Sequence, residues 1–219
     1  MNFNSAKAII KLLFTPKGEL MKSFWKRYSY SVIKLFVNQF AISIFGLVLA
    51  LACGKAENIT LMYVTSIGAI IFYLFLLYAA LWEIGAKDKI LVDGGRLPKN
   101  NLNGLYMGLL ANIPNFILAI LVSIGLLFAD GGVISKIGGV ASSISIFIQG
   151  MYSGILAIDV GGAPLNTYFF VYFLIPLPAI LICTLSYFFG IKNYHFTKLL
   201  ISETPDEAEI RREKKKRNK

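Results

Sequence analysis

The sequence predicts an all-α, polytopic helical membrane protein with four transmembrane helices and one Gly/Ser-rich segment that is external or re-entrant; five spans is the alternative. Three observations carry this prediction. Of the 219 residues, 56% are hydrophobic and the mean hydropathy is +0.65, whereas a soluble domain is roughly 45–50% apolar. Apolar runs of about 20 residues, the length that crosses a bilayer as helix, recur along the chain. The lysines and arginines lie beside these runs, not within them. In a soluble chain the net charge of +10 would point to nucleic acid. Here no nucleic acid is expected, and the anionic headgroups of a lipid bilayer are the expected partner.

Residues 1–32 form a basic, aromatic segment at the membrane interface. Ala8, Ile9, Leu12 and Leu13 recur at helical spacing with Lys7 and Lys11 on another side, which describes either a short interfacial helix over Ser5–Phe14 or a loosely ordered basic tail. Thr15-Pro16-Lys17-Gly18 ends it. Lys22, Phe24, Trp25, Lys26, Arg27, Tyr28 and Tyr30 then have the mixed cationic and aromatic composition of an interface belt. Met1–Phe14 is too short and too interrupted by lysine for a cleavable signal, so the first span is expected to serve as its own insertion signal.

The first span covers 33–52 and holds Asn38 and Gln39; amides in lipid need partners, so these should face other helices. The second covers 59–82, with Thr65 and Ser66 able to bond back to their own helix. A charged loop follows from Trp82 to Asn103. Glu83 and Lys87, four apart in the favourable order, extend the helix one turn into water, and Asp93-Gly94-Gly95 turns the chain. The glycine pair before Arg96 lacks the spacing of either phosphate-binding loop, so it is read as a turn.

The third span covers 105–128, where Asn112 and Asn115 flank Pro114. Proline removes a backbone hydrogen bond, and nearby amides can take up the freed carbonyls; a substrate or ion contact is the other reading. Residues 130–166 are harder to assign. Residues 137–158 are 22 positions without a charge, long enough at 1.5 Å per residue to cross a ~30 Å hydrocarbon core. Yet Gly138, Gly139, Ser142, Ser143, Ser145, Gln149, Gly150, Ser153 and Gly154 make the run much less apolar than its neighbours. Gly161-Gly162-Ala163-Pro164 closes it as a loop. The fourth span, 167–189, has aromatic residues at both ends and a kink expected at Pro176 and Pro178. Residues 190–219 form a basic tail, with a capping box at Thr204-Pro205-Asp206-Glu207.

Charge decides the topology. Seven lysines and arginines lie in residues 1–34, four in the central loop and nine after Gly190, against Lys55 and Lys136 alone elsewhere. If 137–158 does not cross, 20 of the 22 cations share one side; if it crosses, the division is eleven and eleven. The positive-inside rule selects the first arrangement, four spans in the plasma membrane with both termini cytoplasmic and 130–166 not spanning.

Chemistry is sparse. Cys53 and Cys183 have no metal or redox spacing and lie toward opposite faces, too far apart for a disulfide. The single His195 has no second ligand near it. Glu83, Asp88 and Asp93 could make a carboxylate or divalent-cation site, but alternating cations dilute them into a solvated loop, and Asp130 with Asp159 is weaker still. No catalytic residue, metal or cofactor is expected, and an enzyme is not. Asn38, Gln39, Asn112, Asn115 and Gln149 are the candidate intramembrane polar contacts, and Glu83, Lys87, Asp88 and Arg96 the candidate cytoplasmic docking residues. Ile113-Pro114-Asn115-Phe116-Ile117-Leu118 loosely echoes Ile175-Pro176-Leu177-Pro178-Ala179-Ile180, in helices that would run in opposite directions, as an inverted repeat requires. The function expected is a non-catalytic membrane subunit of a larger assembly, with protein partners or a homo-oligomer. The alternative is a small transporter or channel component.

Overall fold

The computed structural model describes residues 17–128 and 132–194. The interfacial helix expected at Ser5–Phe14, Asp130, His195 and the capping box at Thr204 lie outside the described residues. The described chain is mostly helical.

Helix α1 is Lys17–Lys55 and helix α2 is Ile59–Asp93, of 39 and 35 residues. At 1.5 Å per residue they are about 58 and 52 Å long, well beyond a ~30 Å hydrocarbon core. They form an antiparallel hairpin: Cys53 faces Thr65, Gln39 faces Tyr73, and Tyr28 faces Asp88. The Asn58 side chain caps α2 by accepting from the Leu61 N–H at 2.9 Å. At its other end Gly95 takes φ 69°, and the Arg96 N–H reaches back to the Leu91 carbonyl at 2.9 Å, closing the helix.

This corrects the sequence reading in two places. The charged stretch after Trp82 is not a loop; it is helix for three further turns, and only residues 94–102 are irregular. Likewise α1 runs unbroken from Lys17, straight after Pro16, because proline before a helix interferes with nothing. Hydropathy marks where an apolar run ends, and these helices continue past that point on packing and ion pairs.

Helices α3 (Asn103–Ala111) and α4 (Ile113–Leu127) occupy the run expected to be one span, but meet at a bend of 47°. Pro114 sits in the first turn of α4, where its absent N–H is harmless, and Asn112 between the helices donates its side-chain N–H to the Gly108 carbonyl at 2.9 Å.

Helix α5 (Val133–Ile148) packs back along α4 with Gly138 against Gly125, where a side chain on either would strike the other's backbone. At Gln149 the chain turns by 86° into a 3-10 turn, Gly150–Tyr152, and the short helix α6, Ser153–Leu156. Gly150 lies against Ser43 and Leu47 of α1, and the Gly154 N–H donates to Ser66 Oγ of α2 at 2.8 Å. The segment therefore starts near the end of α4, reaches the middle of α1, and returns toward the first turns of α2. A Gly161-Gly162 hairpin, with φ 66° and 88°, joins β1 (Asp159–Val160) to β2 (Ala163–Pro164).

A second 3-10 turn, Leu165–Thr167, leads to α7 (Val171–Leu174) and α8 (Pro176–Ile191). Ile175 between them keeps helical dihedrals, φ −53° and ψ −46°, and the two helices form one 21-residue run, Val171–Ile191, so the prolines interrupt the backbone hydrogen bonding without a sharp kink. Helix α8 runs along α2 and α3. A Cβ on Gly190 would meet the Trp82 carbonyl, one on Gly85 the Tyr187 carbonyl, and one on Gly104 the Tyr187 Cβ at 2.5 Å. These contacts bring backbones together as small-residue crossings do.

Among the described residues three helices, Met21–Lys55, Ile59–Asp93 and Val171–Ile191, are long and apolar enough to cross a membrane, and five segments are if each bent pair counts as one. Tyr73, Leu77, Leu81, Met107, Met151 and Tyr187 fill the interior. Ile33, Val37, Phe45 and Val48 on α1, Val64, Ile71 and Phe75 on α2, and Leu181 on α8 are exposed, an apolar surface far larger than the patches soluble proteins tolerate.

Candidate functional site

The two helix breaks meet. Asn112, at the α3–α4 break, and Gln149, at the end of α5, belong to one buried cluster with Gln39 of α1 and Asn115 of α4. Gln39 and Asn115 bond each other twice: Gln39 Nε2 donates to Asn115 Oδ1 at 3.1 Å, and Asn115 Nδ2 donates to Gln39 Oε1 at 2.9 Å. Asn115 Nδ2 also donates to Asn112 Oδ1 at 2.8 Å, and Gln149 Nε2 reaches Asn115 Oδ1 at 3.4 Å. Tyr73 OH donates to Gln39 Oε1 at 3.4 Å. The Ile148 carbonyl, at the end of α5, accepts from Ser43 Oγ at 2.7 Å and from Gln39 Nε2 at 3.3 Å.

Four of the five amides singled out by sequence thus come together from three separate stretches of chain. Asn38, the fifth, is half-buried on the neighbouring position of α1 and joins none of these bonds. Ser43 and Tyr73 belong to the cluster and were not singled out; Ser43 lies one turn after Gln39 on the same face of α1, which is the signal that could have found it.

The cluster is unevenly satisfied. Both hydrogens of Gln39 Nε2 and both of Asn115 Nδ2 are used. Two buried oxygens, Gln149 Oε1 and Ser145 Oγ, have no hydrogen-bond partner. Gln149 Oε1 is thus an acceptor without a donor, and the Ser145 hydroxyl neither donates nor accepts.

A second polar centre lies at the other end of the bundle, around Asp88. Asp88 is 2% exposed. Arg27 Nη2 donates to Oδ1 at 2.6 Å, while Tyr28 OH and Tyr187 OH donate to Oδ2 at 2.7 and 2.8 Å. Asn103 Nδ2 donates in turn to both phenol oxygens, at 3.0 and 3.1 Å. One carboxylate so joins α1, α2, α3 and α8. Burial and then the Asp88 hydrogen bond push the Tyr28 phenol up to about 12.

The sequence reading placed Asp88 in a solvated loop beside Glu83, and that is corrected: it is the last buried position of α2, after Tyr73, Leu77, Leu81 and Gly85. Those residues recur three or four apart, so the inward stripe, continued past Trp82, reaches Asp88. The other docking candidates are exposed. Glu83 pairs with Lys87 at 2.6 Å, which holds its carboxyl below the usual carboxylate range, and Asp93 pairs with Lys89 at 3.2 Å. Arg96 is exposed just past the helix end. The three carboxylates face different partners, and among the described residues no three of His, Cys, Asp and Glu gather into a possible metal site. Between α1 and α2 at this end lies a groove of about 490 Å³ lined by Arg27, Tyr30, Lys34, Ile84, Lys87 and Asp88 among others. Cys53 and Cys183 are free and buried, Cys53 beside Thr65 and Cys183 against Gly104 and Gly108.

Comparison with protein-family models, curated proteins and solved structures finds no match. Fold and site therefore define the protein only by class: a helical chain with three to five segments able to cross a membrane, and an amide cluster buried where two of those segments break.

Proposed function

We propose that the chain is a non-enzymatic, multi-pass protein of the plasma membrane that handles a small ion or solute, as a transporter or channel component, and that the amide cluster is its working centre. The observation that carries this reading is the meeting of Asn112 and Gln149, each at a helix break, with Gln39 and Asn115 deep between apolar helices. Interrupted helices expose backbone and side-chain dipoles where a bilayer offers none, and membrane transport sites are commonly built that way.

The topology belongs to the same proposal: four spans, both termini cytoplasmic, and Val133–Leu156 re-entering from the outer face. Its support is that the segment returns to the Asn58 end of the hairpin and that 20 of 22 cations then lie on one side. In this arrangement the Asp88 centre closes the cytoplasmic end, with anionic headgroups beside it.

A second reading, a subunit of a larger assembly, is favoured by the exposed Glu83–Lys87 and Lys89–Asp93 pairs and Arg96, which give one end of the bundle a charged outer face. Osmotic shrinkage of proteoliposomes challenged with small neutral solutes and with alkali chlorides separates the two. Permeation above that of empty liposomes, reduced in an Asn115→Ala variant that remains monodisperse, supports the transport reading. Permeation equal to that of empty liposomes, with a stoichiometric partner recovered from native membranes, replaces it with the subunit reading.

A further inference from the structure

We infer that the Ser145–Gln149 face of the hinge binds a single dehydrated alkali cation, an inference that rests on the reading of the amide cluster as the working centre. The argument starts from the unmatched oxygens. Ser145 lies in the last turn of α5 and Gln149 ends that helix, its backbone N–H donating to the Ser145 carbonyl at 2.7 Å, so the two residues stand one turn apart. Each is at least nine-tenths buried, and Gln149 Oε1 and Ser145 Oγ both lack a partner. An unpaired buried acceptor carries its full desolvation penalty, and lipid around the bundle supplies no donor to relieve it.

Gln39 Nε2 and Asn115 Nδ2 have spent both hydrogens within the cluster and Tyr73 OH is committed to Gln39, while Asn112 Nδ2 and Gln149 Nε2, each with one bond made elsewhere, reach neither orphaned oxygen. Positive charge is what fits: Gln149 Oε1 can only accept, and the Ser145 hydroxyl can turn its hydrogen away and offer a lone pair beside it. The C-termini of α3, at Ala111, and of α5, at Ile148, both end here, and their partial negative charge favours a cation; the N-terminus of α4 offsets it only in part.

The donor chemistry sets the class. Every oxygen in the cluster belongs to an amide, a hydroxyl or a carbonyl, and none to a carboxylate. Divalent calcium is held by sites that include carboxylates, and magnesium gives up its waters reluctantly. A monovalent ion can exchange hydration for neutral oxygens, as in filters built from carbonyls.

The test is thermal unfolding of the purified full chain in detergent, titrated with sodium, potassium or lithium chloride against N-methyl-D-glucamine chloride at constant ionic strength. At least one alkali ion raises the unfolding temperature saturably, by about 5 °C, and calcium adds nothing. Ser145→Ala abolishes most of that response. It also unfolds no earlier than wild type in N-methyl-D-glucamine, because it deletes an unmatched hydroxyl; Gln149→Met loses the response as well. If all four salts give the same unfolding curve, the orphaned oxygens hold water and the inference is overturned. A response of unchanged size in Ser145→Ala also overturns it, by placing the cation elsewhere. Cation stabilisation without permeation in proteoliposomes leaves this site standing as structural while the transport reading falls.

Discussion

Gln39 and Asn115 exchange two hydrogen bonds, at 3.1 and 2.9 Å, across 76 positions of sequence. Each amide is the other's replacement for water. Replacing either by leucine leaves one amide hydrogen of its partner unpaired inside the bundle, at a cost of about 1–3 kcal/mol, while the partner's oxygen keeps Gln149 or Tyr73 as donor. The double variant Gln39→Leu, Asn115→Leu costs less than the two singles together, since the pair's mutual penalty disappears. Reversible unfolding in detergent reads the cycle; strictly additive losses would mean that the two amides are not coupled.

The α2–α8 crossing depends on the absence of a side chain at Gly190, whose Cβ would meet the Trp82 carbonyl. Gly190→Ala therefore destabilises by about 1–3 kcal/mol through backbone displacement. Gly139→Ala on α5 is the control. Nothing lies within 4 Å of its Cβ, so the change is neutral or stabilising by up to about 1 kcal/mol through helix propensity. Equal effects at the two sites would remove the case for close helix packing at Gly190.

Asp88 ties its own helix α2 to α1 and α8 through Arg27, Tyr28 and Tyr187, and to α3 through Asn103 on the two phenols. Asp88→Ala removes the acceptor for all three donors. Breaking a buried pair costs about 3–5 kcal/mol, but the Arg27 side chain is 35% exposed and can turn to water, so about 2–3 kcal/mol is expected. Arg27→Met leaves both phenols bonded to the carboxylate and is the milder variant at neutral pH only if those phenols carry most of the stabilisation. Comparing the two unfolding curves assigns it.

Tyr28 gives this centre an alkaline limit. Burial, and then the Asp88 hydrogen bond, push its phenol up from an ordinary 10 to about 12. The folded state therefore holds the proton that the unfolded chain releases, so the contribution is complete below pH 10 and declines as pH rises toward 12. Tyr28→Phe is less stable at neutral pH, and its stability falls less steeply between pH 10 and 12. A variant with the wild-type slope in that window would assign the alkaline loss to another group.

Much of the helical content was legible from apolar runs, because about 20 consecutive apolar residues admit few other structures. Helix ends were not, since Glu83 through Asp93 reads as polar whether it is loop or an ion-paired helical extension. The amides of Gln39, Asn112, Asn115 and Gln149 stood out because each interrupts an apolar segment. That they meet was not legible: it depends on the 47° bend at Asn112 and the 86° turn after Ile148. Asp88 was misplaced for a related reason. Its charged neighbours dominate local composition, and only the helical phase carried forward from Tyr73 reveals that it faces inward.

The account depends most on Val133–Leu156 entering and leaving on one side, with Gln149 at its deepest point. Single cysteines at Asn58, Gly162 and Arg96, in a background lacking Cys53 and Cys183, test it by reaction with an impermeant thiol reagent on intact cells. The account predicts labelling at positions 58 and 162 without permeabilisation and at 96 only after it. Labelling at 162 only after permeabilisation, together with 96, would mean that the segment crosses the membrane, and would contradict the four-span arrangement.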